Sequence, residues 1–547
     1  MSLLIATVVA LLPLAPRLEA RAAARTAAAA AVQAQADPQQ ILGHVKALTA
    51  MDGAARSGPA VHATAADGDR AAQYIATQFM RYGLAPAGEA GTYFQAVPMT
   101  GVRTLPDTSL IAVASDLSTL ALRNLEDVVT RNQTQVPSAY VDAPIVFVGY
   151  GIQAPQYARD DNQDLDLNGK VALLLGGDPP DGAAGLRGHA PTHYGSPEYK
   201  FAEAARRGAV AALLVPDPGA ARDTWNAVRA EWATARYYER GDASPRLRAA
   251  SWIRADAARR LAALAGLDFD GLVAKAQAKD FSPIDLPLRL QAHVASEVRP
   301  VDARNVLAVL PGRGASSRQA VLYTARYDRL RSGAAPQPDD LEDDRTGNAT
   351  GVAALLESAR LWSQRSAVPP RTILFLVLAA ENHGLPAADY FVASEGAMPP
   401  GRICVALTFD PQAPEVAART LAVRGAARTG FAPTVAATAK ALGLTVHSDP
   451  YPASVGDYDS GAYALALAGV PSISLAAGDR TPADQHRVAN RFAADARLAH
   501  LGYELGVRAA AQSELVGWLP GDEFEAVRKR SQLTPHNPLE RKPKRVR

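Results

Sequence analysis

The sequence predicts an α/β fold: a mostly parallel sheet sandwiched by helices and interrupted by a second, inserted β/α unit. Three observations predict it. Downstream of residue 305, apolar runs (QAVLYTARYD, RTILFLVLAAE, GRICVALTFD, VPSISLAAG) alternate with helix-like stretches (GVAALLESARLWSQ, FAPTVAATAKALG, FAADARLAHLGYELG). Runs that are apolar throughout suit strands buried on both faces, which is how crossover helices leave a parallel sheet. Upstream, APIVFVGYGI, NGKVALLLGGDPP and YKFAEAARRGAVAALLVPD form a separate strand, strand and helix-strand module. Finally, 547 residues at 48% hydrophobic and 20% charged supply enough apolar side chains for more than one core.

In chain order, LLIATVVALLPLAP is too short to span a bilayer and has the length of a signal core; the AQA before Asp37 offers a cleavage site. Residues 1–36 therefore read as a leader and predict export, periplasmic or extracellular. No Lys or Arg precedes the apolar run, so a short N-terminal membrane anchor stays open as the alternative. DPQQILGHVKALTA and GDRAAQYIATQFMRYGL read as amphipathic helices, the second stopped at Gly83. The expected division is residues 37–135 for the first part of the main domain, 136–290 for the inserted unit with return helices, 291–515 for the second part of the main domain, and 516–547 for a basic tail. The tail ends in LERKPKRVR, and cutting after about Asp522 is expected to leave stability unaltered.

A net charge of +2 gives no long-range attraction for nucleic acid or an anionic membrane. The mature chain is expected to carry no stable membrane span. The single cysteine, Cys404, lies in the apolar run ICVAL and reads as a packing residue. G-x-S-x-G, a Walker loop and a cysteine dyad are all absent.

Function in such sheets gathers at the carboxyl ends of the strands. After LYTA come Arg326, Tyr327 and Asp328. The acidic loop PDDLEDDRTGNATG, with Asp339, Asp340, Asp343 and Asp344, precedes a helix. LVLAA leads into Glu381, Asn382 and His383; VALTF ends in Asp410; SISLAAGD is followed by Arg480.

With these segments in place, the chain resembles the M28 peptidase family of secreted di-zinc aminopeptidases, in the subgroup with an inserted protease-associated domain. The likeness runs from AAQYIATQFMRYGLAPAGEAGTYFQAVPM through VFVGYGI, NGKVALLL and KFAEAARRGAVAALLV to NATGVAALLESAR, AAENHG, LTFD and GVPSISL. The resemblance implies two zinc ions held by a bridging Asp, two His, a Glu and a further Asp, with a separate Glu moving the proton. Carried over by position, it implies that Glu381 keeps the general-base place and Asp410 one ligand place. Asp328 keeps the place that orients the first His. The other four ligand places fall on Arg326, Gly347, Asn382 and Arg480; arginine has no lone pair to offer and repels a cation.

The resemblance therefore implies a peptidase-fold protein that has lost zinc-dependent hydrolysis, needs no cofactor, and acts by binding peptide or another protein. The alternative is an active zinc aminopeptidase with relocated ligands drawn from His383, Asp410, Asp344 and His486. Against it, adjacent strand residues point to opposite faces and acidic loops are usually solvated. Tyr458 and Ser460 in GDYDSGAY fall where the family keeps pocket groups, which reads equally as a surviving peptide pocket or an ordinary Gly-rich turn.

Overall fold

The computed structural model describes residues 35–52, 65–154, 159–161, 165–180, 192–216, 225–278, 280–327, 348–379, 386–394, 398–410, 420–448, 461–477 and 492–533. The expected α/β architecture is present, with a large sheet and helices packed on it. The opening helices run over Pro38–Asp52 and Ala65–Arg81. The second ends as a glycine stop requires: Gly83 adopts φ +72°, its N–H bonds to Met80 O, and Leu84 N–H reaches back to Phe79 O.

Four strands, Ser472–Ala477, Ile403–Phe409, Ala320–Arg326 and Thr372–Leu378, lie side by side and parallel. Almost every residue in them is buried, because the Asn348–Ser363 and Ala493–Ala511 helices cover one face and shorter helices the other. Tyr323 shows how tightly the covered face is packed. Its hydroxyl donates to Gly502 O (2.9 Å) and accepts from Trp362 Nε1 (3.0 Å), and a Cβ placed on Gly506 would lie 1.7 Å from it. Cys404 is free and buried in this core, as its apolar setting predicts.

The sheet continues through one strand that sequence reading began only at residue 305. It spans Ile284–Leu310, 27 residues. Its carboxyl half pairs antiparallel with Thr372–Leu378 and Phe94–Thr104, while its amino half pairs with Ser138–Gly149 and Ser109–Ala114 in a second sheet. The second sheet holds parallel pairings among Ser138–Gly149, Val171–Leu175, Ala211–Val215 and Ala249–Ile253, and builds its own apolar core on both faces. It also takes in Ser109–Ala114, Thr119–Leu122 and Val128–Arg131, strands upstream of residue 136.

The tail expected from residue 516 starts later. Trp518 Nε1 donates to Gly469 O, Arg428 pairs with Asp522 (2.7 Å) and Glu523 (2.8 Å), and a helix spans Glu525–Leu533. On that helix Arg528 is buried and donates to Pro400 O, Ile403 O and Val516 O. Those bonds tie residues 516–533, read from sequence as the start of a basic tail, to carbonyls of the main domain, and they bear on the expectation that trimming after Asp522 is harmless. LERKPKRVR lies outside the described residues, as do residues 1–34.

Candidate functional site

Side chains alternate along a strand, so Tyr323 and Ala325 face the long helices while Thr324 and Arg326 face the other side. The register puts Thr324 opposite Thr408, and Thr408 opposite Ser474. Two residues further along, the same register brings Arg326 and Asp410 together at the carboxyl edge. Thr324 Oγ1 donates to Thr408 Oγ1 at 3.1 Å, fixing the two strands one step below. Asp410 N–H bonds to Leu475 O and Tyr327 N–H to Leu378 O, so both strands remain in the sheet to their ends. Tyr327 is turned the other way, its hydroxyl donating to Arg304 O at 2.6 Å.

Arg326 and Asp410 are both about nine-tenths buried, and the Arg326 guanidinium lies 4.0 Å from Asp410 Oδ1. That distance makes an ion pair but exceeds a hydrogen bond. Thr324, Ala325, Arg326, Leu378, Thr408, Phe409, Asp410 and Gly461 line a recess at this point.

Of the residues singled out in the sequence, this edge unites Arg326 and Asp410. Glu381, Asn382, His383, Asp328, Gly347, Asp344, Tyr458, Ser460, Arg480 and His486 lie outside the described residues. Among the described residues no three His, Cys, Asp or Glu side chains come together. A zinc ion of the kind implied by the family resemblance does not fit the pair that is described: a guanidinium 4.0 Å from the acid would repel the cation and offer it no lone pair.

One residue escaped the sequence reading. Asn305 is fully buried; its side-chain oxygen accepts from Ala379 N–H (3.1 Å) and its amide nitrogen donates to Ala387 O (3.1 Å) and Gln95 Oε1 (2.9 Å). It therefore ties the end of the Thr372–Leu378 strand to the start of the Pro386–Ala393 helix, on either side of the Glu381 segment. The available signal was a lone amide opening the apolar run NVLAVL, since a buried amide is retained where it has partners.

Residues 305–500 match the sequence model of peptidase family M28, a span that contains all four parallel strands. No curated protein matches the chain in sequence. Similar solved structures include an aminopeptidase from Aneurinibacillus sp. strain AM-1, at 19% identity over 88% of this chain and 96% of that one, TM-score 0.48. A peptidase M28 precursor from Shewanella amazonensis is 16% identical over 91% of this chain and 99% of that one, TM-score 0.43. The zinc aminopeptidase BSAP from Bacillus subtilis is 16% identical over 85% and 94%, TM-score 0.39.

Proposed function

We propose, on the premise that residues 305–500 belong to peptidase family M28, that the chain is a peptidase-fold protein without zinc-dependent hydrolysis, acting by binding peptide or protein. The observation that carries this reading is Arg326, whose guanidinium lies at the sheet edge 4.0 Å from Asp410. Among the described residues a fixed cation stands beside the acid, where a metal ion would otherwise offset its charge. Gly347, Asn382 and Arg480 at the other family ligand positions support the same reading from sequence. With no Lewis acid to activate water, the Glu381 carboxylate would have no bound hydroxide to form.

The test is direct. Purified protein should hold much less than one zinc per chain, chelator should leave its melting temperature unchanged, and aminoacyl anilides should not be hydrolysed above background. Two tightly held zinc ions, or turnover abolished by Glu381→Gln with the fold intact, would overturn the proposal.

A further inference from the structure

The Pro38–Asp52 helix begins against a buried acid. Glu357, on the Asn348–Ser363 helix, is fully buried, and its Oε1 accepts from the backbone nitrogen of Asp37 at 2.7 Å. Arg360 holds the same carboxylate, Nε donating to Oε2 (2.7 Å) and Nη2 to Oε1 (2.6 Å). Asp37 is fixed there by its own cap. Its Oδ1 accepts from Gln39 N–H (2.8 Å), its carbonyl accepts from Gln40 N–H and Ile41 N–H, and Pro38 takes the first helical position. Among the described residues upstream of Asp37, Gln35 and Ala36, hydrogen bonding dwindles to one contact, Arg360 Nη2 to Gln35 O at 3.5 Å.

Charge at this point is uneven. Two carboxylates, those of Glu357 and Asp37, act on the one Arg360 guanidinium, and burial takes Glu357 out of the water that would otherwise solvate it. Among the described residues the other ionisable groups packed here bring no second buried cation. His44 stands between the Tyr74 and Tyr82 hydroxyls (2.8 and 3.0 Å), its imidazole depressed to about 4 by burial and then by Arg360, and Arg81, which acts on both tyrosines, is exposed. An amide N–H at Asp37 carries no charge. An α-ammonium at that same nitrogen carries one, with three donors in place of one, 2.7 Å from the buried oxygen. The helix end opposes it with about half a charge, which the Asp37 side chain bonded to Gln39 N–H offsets.

A cleavage motif lies at this bond. Ala34-Gln35-Ala36 puts small residues one and three places before the Ala36–Asp37 peptide bond, the pattern that leader-removing peptidases accept. We propose that hydrolysis of the Ala36–Asp37 bond matures the protein, and that the α-ammonium freed on Asp37 docks on the buried Glu357 carboxylate. One water is consumed: its oxygen joins the Ala36 carbonyl carbon, which leaves as a carboxylate, and both its hydrogens end on the Asp37 nitrogen. This inference stands apart from the zinc-free reading, since neither Asp37 nor Glu357 belongs to the sheet-edge site.

The experiment produces the full-length chain in an exporting bacterial host and reads its amino terminus by N-terminal sequencing and intact mass. Asp37 should come first; any other terminus, an uncut one included, would overturn the inference. Docking is then read on the same protein with cyanate, which carbamylates α-amines near neutral pH. The Asp37 amine should react at least about tenfold more slowly in the native protein than in urea, and equal rates would refute the docking. Inserting one glycine between Ala36 and Asp37 keeps the cleavage motif but returns an uncharged amide N–H to Glu357. That insertion should remove the protection and lower the melting temperature by at least about 2 °C, whereas an unchanged melting temperature would show that no charge had docked there. Glu357→Gln should free the amine for carbamylation and make the glycine insertion neutral; where that variant fails to fold, the insertion alone decides.

Discussion

The Arg326–Asp410 pair can be weighed by a double-mutant cycle. The perturbations are Arg326→Met, Asp410→Asn and both together, each keeping side-chain volume near the original. At 4.0 Å, and with an effective dielectric of about 20, the Coulomb attraction is about 4 kcal/mol. Burial strips water from both ions, but that penalty largely cancels in the cycle, so a coupling energy of about 2–4 kcal/mol is expected. Arg326→Met alone should cost about 1–3 kcal/mol, less than the roughly 3–5 kcal/mol of a broken hydrogen-bonded buried pair, because no hydrogen bond is lost. Urea denaturation followed by tryptophan fluorescence, at about 0.15 M and about 1 M salt, supplies the four free energies. Coupling below about 0.5 kcal/mol, or coupling that vanishes at high salt, would show an ordinary solvated pair and refute the argument that Arg326 balances Asp410 at the sheet edge.

Other perturbations test the surrounding scaffold. Arg326→His alone should not restore zinc binding, as measured by metal analysis, because Gly347, Asn382 and Arg480 still lack ligand atoms of the required kind. Asn305→Leu should destabilise by about 3 kcal/mol in urea, since it strands the Ala379 N–H and the Ala387 carbonyl, each worth about 1–3 kcal/mol when buried unpaired; a loss under about 1 kcal/mol would mean the strand end is held otherwise. Removing residues 534–547 should leave the melting temperature unchanged, whereas ending the chain at Asp522 should lower it by several degrees, because Phe524 and the Arg528 bonds go with it. Burial first, and then Arg360, depresses the His44 imidazole to about 4, while burial and Arg428 depress His193 to about 3. The unfolded chain therefore binds more protons between about pH 6.5 and 3, so this contribution to stability is full above about pH 6.5 and falls as pH drops through that window. His44→Gln should flatten part of that slope in a series of pH-dependent melts.

Much of the architecture was legible because its signals are local. Uninterrupted apolar runs ending in polar residues located the four parallel strands, and Gly83 located a helix end whose positive φ needs no Cβ. The 27-residue strand was only half legible. Its carboxyl half, NVLAVL, is apolar enough to announce itself, but its amino half alternates LPLRLQAHVASEV, and no local pattern says that one strand serves two sheets. Likewise the basic composition of the end of the chain suggested solvation from residue 516, while Arg528 finds its carbonyl partners more than a hundred residues away at Pro400 and Ile403.

The same division runs through the site. Residue identity by itself determined that Arg326 cannot ligate a metal and that Asp410 can, because lone pairs and charge belong to the side chain wherever it sits. Tertiary structure decided that the two meet: parallel register puts Thr324 opposite Thr408, and the alternation of side chains carries Arg326 and Asp410, 84 positions apart, onto one face and into one recess at 4.0 Å. It also assigned a role to Asn305, whose partners Gln95, Ala379 and Ala387 come together only when the sheet and its following helix are assembled. Chemistry was written residue by residue, whereas proximity, burial and the loss of competing water arise only where distant segments pack.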